Sequence, residues 1–356
     1  MLSVYTVEQS NEWDAIVKTF KHYDTFWLSG YTKAFRLHGE GEPLLVYYED
    51  REIKGINVVM KRDIAKCELF EGILPENTYF DFSTPYGYGG WLIQSADEQH
   101  SDADVDPQPL FKAYEDFCKQ NGVVSEFVRF HPVIGNHAMA ASAYETVVRG
   151  PVVTMETSDV DEIWENITSK NRNVIRKAQK NGVKICCGRS KELFEEFRDV
   201  YNETMDRDSA DSYYYFGEEF YDSILNDLSE NAQIFYAVYE DKMVAASIFL
   251  MANGKINYHL SGYRAQYARL ASTNLLLYEV AKWGCKNGYQ SLYLGGGVGS
   301  EEDSLFRFKK AFYRAEDSRR FVIGKKIFNH EVYDYLISLR KDLPESEFFP
   351  KYRAKG

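Results

Sequence analysis

The chain has 356 residues, with 54 acidic against 42 basic side chains and a formal net charge of −12. That length exceeds one ordinary core and predicts two domains. The acidic balance excludes a general nucleic-acid binder, so no DNA ligand is expected, but it leaves room for a local basic groove that holds a tRNA end or nucleotide phosphates. Five cysteines (Cys67, Cys118, Cys186, Cys187 and Cys285), with no CxxC pair and no histidine at metal-ligand spacing, predict reduced thiols, no metal site and a cytoplasmic protein. The opening MLSVYTVEQSNEW has no basic segment followed by an apolar run, so no signal peptide is predicted. No stretch approaches the roughly 20 apolar residues of a membrane span.

In chain order, residues 10–21 predict a helix, with Trp13, Ile16, Val17 and Phe20 at helical spacing. Residues 44–48 and 53–61 predict strands joined at Glu49-Asp50-Arg51, and 78–82 a further strand. Residues 83–91, STPYGYGGW, predict an irregular, mobile loop. It is either a structural turn or a cleft wall in which glycine permits close approach and Tyr86 and Tyr88 supply hydrogen bonds. Residues 94–108 are acidic and unpatterned, an exposed loop without calcium-loop spacing. A helix is predicted over 109–121, carrying Leu110, Phe111, Tyr114 and Phe117 and closed by Gly122. The strand at 124–130 ends in Arg129-Phe130-His131-Pro132. Arg129 is a candidate contact for an anionic group; His131 is either a base or a satisfied structural histidine.

A domain boundary is expected near residue 150. Residues 159–181 predict one long helix capped by Ser158, with Trp164, Ile167, Val174 or Ile175, and Ala178 on its buried face. Its end is basic: Lys170, Arg172, Arg176, Lys177, Lys180 and Lys184 are six cations in 15 residues with no acid between them. Arg172, Arg176 and Lys180, four residues apart, share a face. This is either a solvated helix face or a phosphate-binding strip. Residues 183–187 predict a strand with Cys186 or Cys187 in the core, and 191–205 a helix. SADSYYYF (209–216) predicts a polar aromatic turn in which at most two of Tyr213, Tyr214 and Tyr215 line a site, Tyr215 being the candidate. A helix at 218–228 and strands at 233–239, 245–250 and 255–260 follow, the last two a hairpin across Asn253-Gly254. The helix at 272–286 is expected to be capped by Ser272 or Thr273 and ended by Asn287-Gly288. After a strand at 291–294 come Gly295-Gly296-Gly297, the acidic Glu301-Glu302-Asp303, and a basic aromatic segment, 305–312, with Lys309 and Lys310. Glycines after a strand, beside a helix N-terminus, are suited to an anion or an acyl donor. A strand at 321–323, a helix at 332–340 and a polar, fraying tail complete the chain.

Five segments, RFHP (129–132), NRNVIRKAQKNGVK (171–184), HLSGYRAQYARLASTNLLLYEVAKW (259–283), LYLGGG (292–297) and LFRFKKAF (305–312), span nearly the whole chain. Together they resemble the FemAB-like branch of the GNAT acyltransferases, which includes bacterial peptidoglycan-bridge aminoacyltransferases and BioF2-like acetyltransferase domains. The resemblance implies an α+β fold of two tandem GNAT-like domains, 1–150 and 151–356, each a mixed, mostly antiparallel sheet flanked by helices. It implies an acyltransferase of cell-wall biogenesis with no tightly bound cofactor, using aminoacyl-tRNA or acyl-CoA as co-substrate. The acceptor implied is a nucleotide sugar, muropeptide or amino sugar, and peripheral membrane contact is compatible with it. Lys309 would bind an acceptor phosphate or the reacting carbonyl oxygen, with Lys310 the second candidate. Arg172 and Arg176 would hold phosphates, and Tyr258, Tyr263 and the backbone of Gly295, Gly296 and Gly297 would line the acyl channel. No general base is assignable. Arg269 departs from the family pattern, occupying the glycine position of the pyrophosphate loop (266–271), which favours an aminoacyl donor, or another thioester bound differently, over acetyl-CoA. The charged helical hairpin of some Fem enzymes is also missing, which favours the compact branch. The alternatives are an acyl-CoA-dependent N-acetyltransferase of polysaccharide biosynthesis and an inactive GNAT pair serving as a binding module.

Overall fold

The computed structural model describes residues 1–97, 100–102 and 105–355. Glu98, Gln99, Ala103 and Asp104, within the acidic loop expected at 94–108, lie outside the described residues. The chain forms two compact units, Met1–Arg149 with Phe321–Gly356, and Gly150–Arg320.

The first unit runs β1 (Leu2–Thr6), α1 (Ser10–Val17), α2 (Ser29–Leu37), β2 (Glu42–Glu49), β3 (Ile53–Asp63), β4 (Phe80–Ser83), β5 (Leu92–Ser95), α3 (Gln108–Gln120), β6 (Val123–Phe130), α4 (His137–Ala140) and β7 (Glu145–Pro151). The second runs β8 (Val153–Glu156), α5 (Val160–Asn166), α6 (Ser169–Lys180), β9 (Lys184–Gly188), α7 (Lys191–Arg207), α8 (Glu218–Asp227), β10 (Ala232–Tyr239), β11 (Lys242–Ala252), β12 (Lys255–Tyr263), α9 (Ser272–Lys286), β13 (Ser291–Gly295) and α10 (Ser304–Lys310). The chain then returns to the first unit with β14 (Arg320–Ile327) and α11 (His330–Ser338).

The first unit's sheet has the order β1-β2-β3-β4-β6-β14-β7, with β5 also on β3; only β4 and β6 among its named pairs run parallel. The β2–β3 hairpin turns where Asp50 Oδ1 accepts from the backbone of Glu52 and Ile53, both at 2.9 Å. Leu110, Phe111, Tyr114 and Cys118 give α3 an apolar stripe that packs with Trp91, Val128 and Phe130 of the core. The second sheet has the order β8-β13-β12-β11-β10-β9 and is antiparallel except for β12–β13. The apolar stripes of α6 (Ile175, Ala178) and α9 (Leu275, Leu276, Val280) share one core with Phe249, Ile256 and Leu292 of that sheet. Both sheets are mixed, mostly antiparallel and flanked by helices, the α+β arrangement expected.

Several expectations are corrected. The second domain does not extend to 356: residues 321–356 belong to the first unit, where β14 pairs antiparallel with β6, Val322 opposite Phe130. The tail does not fray either. Tyr352 is fully buried, its hydroxyl donating to Asp81 at 3.0 Å and lying 2.9 Å from Ser125 Oγ, and Arg353 pairs with Asp81. Asp81, also buried, takes Arg62 Nε at 2.7 Å. Burial alone would raise its pKa, but Arg353 and Arg62 together hold it below the usual carboxylate range.

The long helix expected at 159–181 is two helices. It breaks at Ile167, which is extended (ψ 134°), and Thr168 restarts it by accepting from Asn171 N at 3.4 Å. Asp159, not Ser158, caps the first piece, accepting from Asp161 and Glu162. Neither Ser272 nor Thr273 caps α9; left-handed Ala271 (φ 53°) turns the chain into it without a side-chain cap. Strands β1, β5 and β7 were not foreseen. Neither Cys186 nor Cys187 sits in the core, because β9 is an edge strand. The loop at 83–91 is pinned, not mobile. Tyr31 donates to the Tyr86 carbonyl, Tyr86 N donates to Glu40 at 3.0 Å, and Gly89 N to the Arg129 carbonyl at 2.9 Å. Gly87, at φ 94°, leaves no room for a Cβ, which would lie 2.6 Å from the Phe26 ring. His131 is structural: fully buried, its Nε2 is 3.1 Å from Asp24 and its Nδ1 accepts from Ile134 N.

The Asp81 cluster sets an expected outcome. Arg353→Ala removes one partner of a buried charge and should lower the unfolding free energy by about 3 kcal/mol. Asp81 stabilises the fold above the ordinary carboxylate range and ceases to do so as pH falls through its lowered folded value, so the difference from the parent should fade in acid. Urea unfolding at two pH values measures it; an unchanged midpoint would mean that the tail anchors nothing.

Candidate active site

β12 and β13 pair only from Lys255–Asn257 against Ser291–Tyr293. Beyond that point β12 continues to Tyr263 while β13 stops at Gly295, so the strands part. A register shift between Ile248 and Phe249 of β11 leaves His259 as the extra residue of a bulge in β12. Its Nε2 is buried, and burial pushes the imidazole down to about 3, so it stays neutral.

At the end of β13 the glycines have separate reasons. Gly295 takes a left-handed φ of 82°, and a Cβ there would lie 3.3 Å from Lys309 Nζ. A Cβ on Gly297 would lie 2.1 Å from the Glu301 carbonyl and 2.3 Å from Asp303 Oδ1, so only glycine fits. Asp303 folds the loop onto α10: Oδ1 accepts from Phe306 N at 2.8 Å, and Oδ2 from Val298 N at 3.2 Å. With α10 so anchored, Lys309 turns back and donates to the Gly296 carbonyl at 2.7 Å. Its side chain is buried, and desolvation lowers its pKa to about 8, against the pull of Asp303. Lys310, the next residue, points elsewhere and donates to the Ala315 carbonyl at 2.6 Å. Of the two candidate lysines, only Lys309 is at the glycines.

The C-terminal end of α10 is fixed by neutral polar groups. The Ala311 carbonyl accepts from Thr168 N (3.0 Å), Thr168 Oγ1 (3.2 Å) and Asn171 Nδ2 (3.4 Å), while Asn274 Nδ2 donates to Asn171 Oδ1 at 2.8 Å. These bonds tie α6, α9 and α10 together. Sequence reasoning did not single out Thr168, Asn171, Asn274 or Asp303. A signal was available for Asn171, a polar residue on the buried stripe it shares with Ile175 and Ala178.

The other expected residues are scattered more widely. Tyr258 lies one residue past the last β12–β13 pair; its ring packs on Phe249 (5.6 Å between centroids), and burial raises its phenol, which hydrogen-bonds Ser261 and Ser247. Tyr263 closes β12 with the Arg207 guanidinium 4.1 Å above its ring. Arg172 and Arg176 converge on the Trp164 ring, 6.0 and 5.0 Å from its centroid, so the two do share a helix face. Tyr215 is on the exposed α7–α8 connection and donates to Asp206 at 2.9 Å. Tyr86, Tyr88 and Arg129 belong to the first unit. There Tyr86 stacks on Phe35, Tyr88 meets Phe26 and His131 edge-on, and Arg129 lies over Phe127. Residues 265–270, which carry Arg269, form a short 3-10 helix with the Arg269 side chain exposed. No described helix is long and apolar enough to cross a membrane.

Comparison with known proteins defines the class. Residues 169–310, which contain α6 through Lys310, match the acetyltransferase (GNAT) domain family. The second unit therefore carries a GNAT acyltransferase domain, in agreement with the resemblance drawn from the sequence. The chain as a whole has the fold of FemX, at 12% identity and a TM-score of 0.65 over 94% of this chain and 99% of that one. It is also similar to a conserved protein of unknown function from Bacteroides thetaiotaomicron (10% identity, TM-score 0.58, 91% and 99% covered). A third similar structure is the C-terminal domain of a protein assigned as a lysylphosphatidylglycerol synthetase, from Agrobacterium fabrum (12% identity, TM-score 0.54, 93% and 94% covered). At sequence level no protein of curated function matches the chain.

The buried lysine has a measurable signature. Its pKa is about 8 in the folded chain against an ordinary 10.5. Between those values the unfolded chain binds more protons, so stability should rise with pH through this window. Lys309→Met removes the penalty of burying the ammonium and should be more stable than the parent by up to about 3 kcal/mol at pH 7, less its lost hydrogen bond. The two unfolding curves should converge toward pH 10; a constant offset would refute the lowered pKa.

Proposed function

We propose that the protein forms an amide by transferring an acyl or aminoacyl group to an amine of a cell-wall precursor or surface amino sugar. The observation that carries this reading is Lys309, buried at the end of parting strands and aimed at the Gly295–Gly297 turn. The transfer requires a deprotonated amine to attack the donor carbonyl carbon. An N–C bond forms, the carbonyl oxygen becomes an oxyanion, and the C–O or C–S bond to the leaving group breaks. The leaving oxygen or sulfur takes the proton that the amine releases. Lys309, protonated near neutrality, spends one N–H on Gly296 and keeps two for the developing oxyanion. Tyr258 lines the acyl side, and Gly295 and Gly296 admit a reacting group close to the backbone. The GNAT match over residues 169–310 supports acyl transfer in general. The sequence resemblance is the support for the class of acceptor and for Arg172 and Arg176 as its phosphate contacts.

The donor is proposed to be an aminoacyl ester. The support is the sequence resemblance, in which Arg269 takes the glycine position of the pyrophosphate loop; residues 265–270 form a short 3-10 helix. Single-turnover assays with charged tRNA and with acetyl-CoA, each on a UDP-linked amino-sugar or muropeptide acceptor, separate this from the acyl-CoA reading: product from acetyl-CoA alone would overturn the aminoacyl assignment.

With whichever donor reacts, Lys309→Met should lose about 10²–10³ in kcat, the scale for one oxyanion donor. The parent's rate should fall as pH rises through about 8, where Lys309 loses its proton. Lys309→Arg, charged throughout, should retain part of the rate without that falling limb. Activity of Lys309→Met within a few-fold of the parent would rule out this role. Arg172→Ala with Arg176→Ala should raise the acceptor KM and leave kcat near the parent's.

A further inference from the structure

β9 is an edge of the second sheet. It pairs with β10 from Lys184 opposite Val238 to Gly188 opposite Ile234. Among the described residues no strand pairs with its outer side. Edge strands usually carry proline, charge or a bulge that blocks pairing with another chain. Past Lys184 at its start, Ile185-Cys186-Cys187-Gly188 has none of these, and its register with β10 is unbroken.

Beside this strand runs a second, independent feature, a cavity of about 380 Å³ between β9 and α9. Val183, Ile185, Cys187, Phe235, Leu275 and Trp283 make its apolar wall. The sheet edge overhangs the helix layer: Phe235 is buried while Cys187, opposite it, is exposed. The rim is charged. Glu279 is taken up by Lys282 at 2.9 Å, which leaves Lys286 at the mouth and Lys184 at the start of the strand, both exposed and in no ion pair among the described residues. An open strand edge next to a helix-walled apolar groove is the geometry in which an extended peptide adds as a further strand. Its backbone pairs with the edge, and every second side chain, roughly 7 Å apart, points into the groove.

We infer that this groove binds an extended acidic peptide of a partner protein as an added strand on β9. Alternate apolar side chains fill the cavity beside Trp283, and the carboxylates between them lie on the opposite face of the sheet, where Lys184 stands. Neither the cavity nor the edge is part of the Lys309 site.

The test is selection from a degenerate library of heptapeptides in which aspartate or glutamate alternates with valine, isoleucine, leucine or phenylalanine. Labelled selected peptides are then titrated by fluorescence anisotropy. Iodoacetamide labelling of Cys187 is followed in parallel by mass spectrometry. The expected result is saturable binding, Cys187 labelling slowed at least tenfold, and binding weakened at least tenfold in Lys184→Glu and in Cys187→Trp. The Cys187→Trp change fills the cavity from an exposed position. Thermal melting checks that both variants fold, and peptides with proline at alternate positions should not bind. Failure to enrich any peptide overturns the inference, as does binding that leaves Cys187 reactive. Uptake of 8-anilinonaphthalene-1-sulfonate without any peptide binding would make the cavity a small-molecule site instead. Concentration-dependent dimerisation in the ultracentrifuge, lost in Cys187→Trp, would assign the edge to a second copy of this chain.

Discussion

A lysine held out of water against a backbone carbonyl is the constraint on which the second unit's site depends. An ammonium is costly to bury, and Lys309 keeps that position because the surrounding chain fixes both its ends. Asp303 anchors the start of α10, and the Ala311 carbonyl, gripped by Thr168 and Asn171, anchors its finish. The three glycines then follow. Gly295 gives the ammonium room, Gly296 offers it an acceptor, and Gly297 lets Asp303 close the loop. A small set of hydrogen bonds, from the Asp303 carboxylate at one end and neutral side chains at the other, thus aims one charge, while the adjacent Lys310 is spent on a local turn.

Much of this architecture could be read from residue patterns, because local chemistry dominates there. The helix at 272–286 has its apolar stripe and its Asn-Gly end, and the hairpin across Asn253-Gly254 has two residues at positive φ. Lys309 and the glycines stood out because they combine charge, aromatics and backbone freedom within a few residues. What was hidden depends on partners distant in sequence. Asn171 looked like part of a basic helix surface, yet its amide bridges Asn274 and Ala311. The helix break at Ile167 is forced by Thr168, whose backbone N–H is drawn to the Ala311 carbonyl. The tail looked soluble and loose because Arg353 reads as surface until Asp81 is placed beneath it.

Tyr86 and Tyr88 illustrate the opposite error. Tyrosines among glycines look available for binding, but rings this close to Phe26, Phe35 and His131 are first of all packing elements. Composition alone does not distinguish a tyrosine that offers its hydroxyl to a ligand from one that offers its ring to a neighbour.

The pairing of Asp81 with Arg353 joins residues 272 positions apart, with the entire second unit between them. During synthesis, at roughly 5–20 residues per second, the carboxylate leaves the ribosome on the order of 15–55 s before its guanidinium. For most of that interval the first unit also lacks β14, the strand that lies between β6 and β7 in its sheet. The inserted unit has every one of its strands available as soon as Arg320 emerges. The nascent chain therefore meets a fixed order of assembly: the inserted segment is the first of the two units that can be completed, and the segment translated before it must wait, with an open sheet and an unmatched carboxylate, for residues made after it.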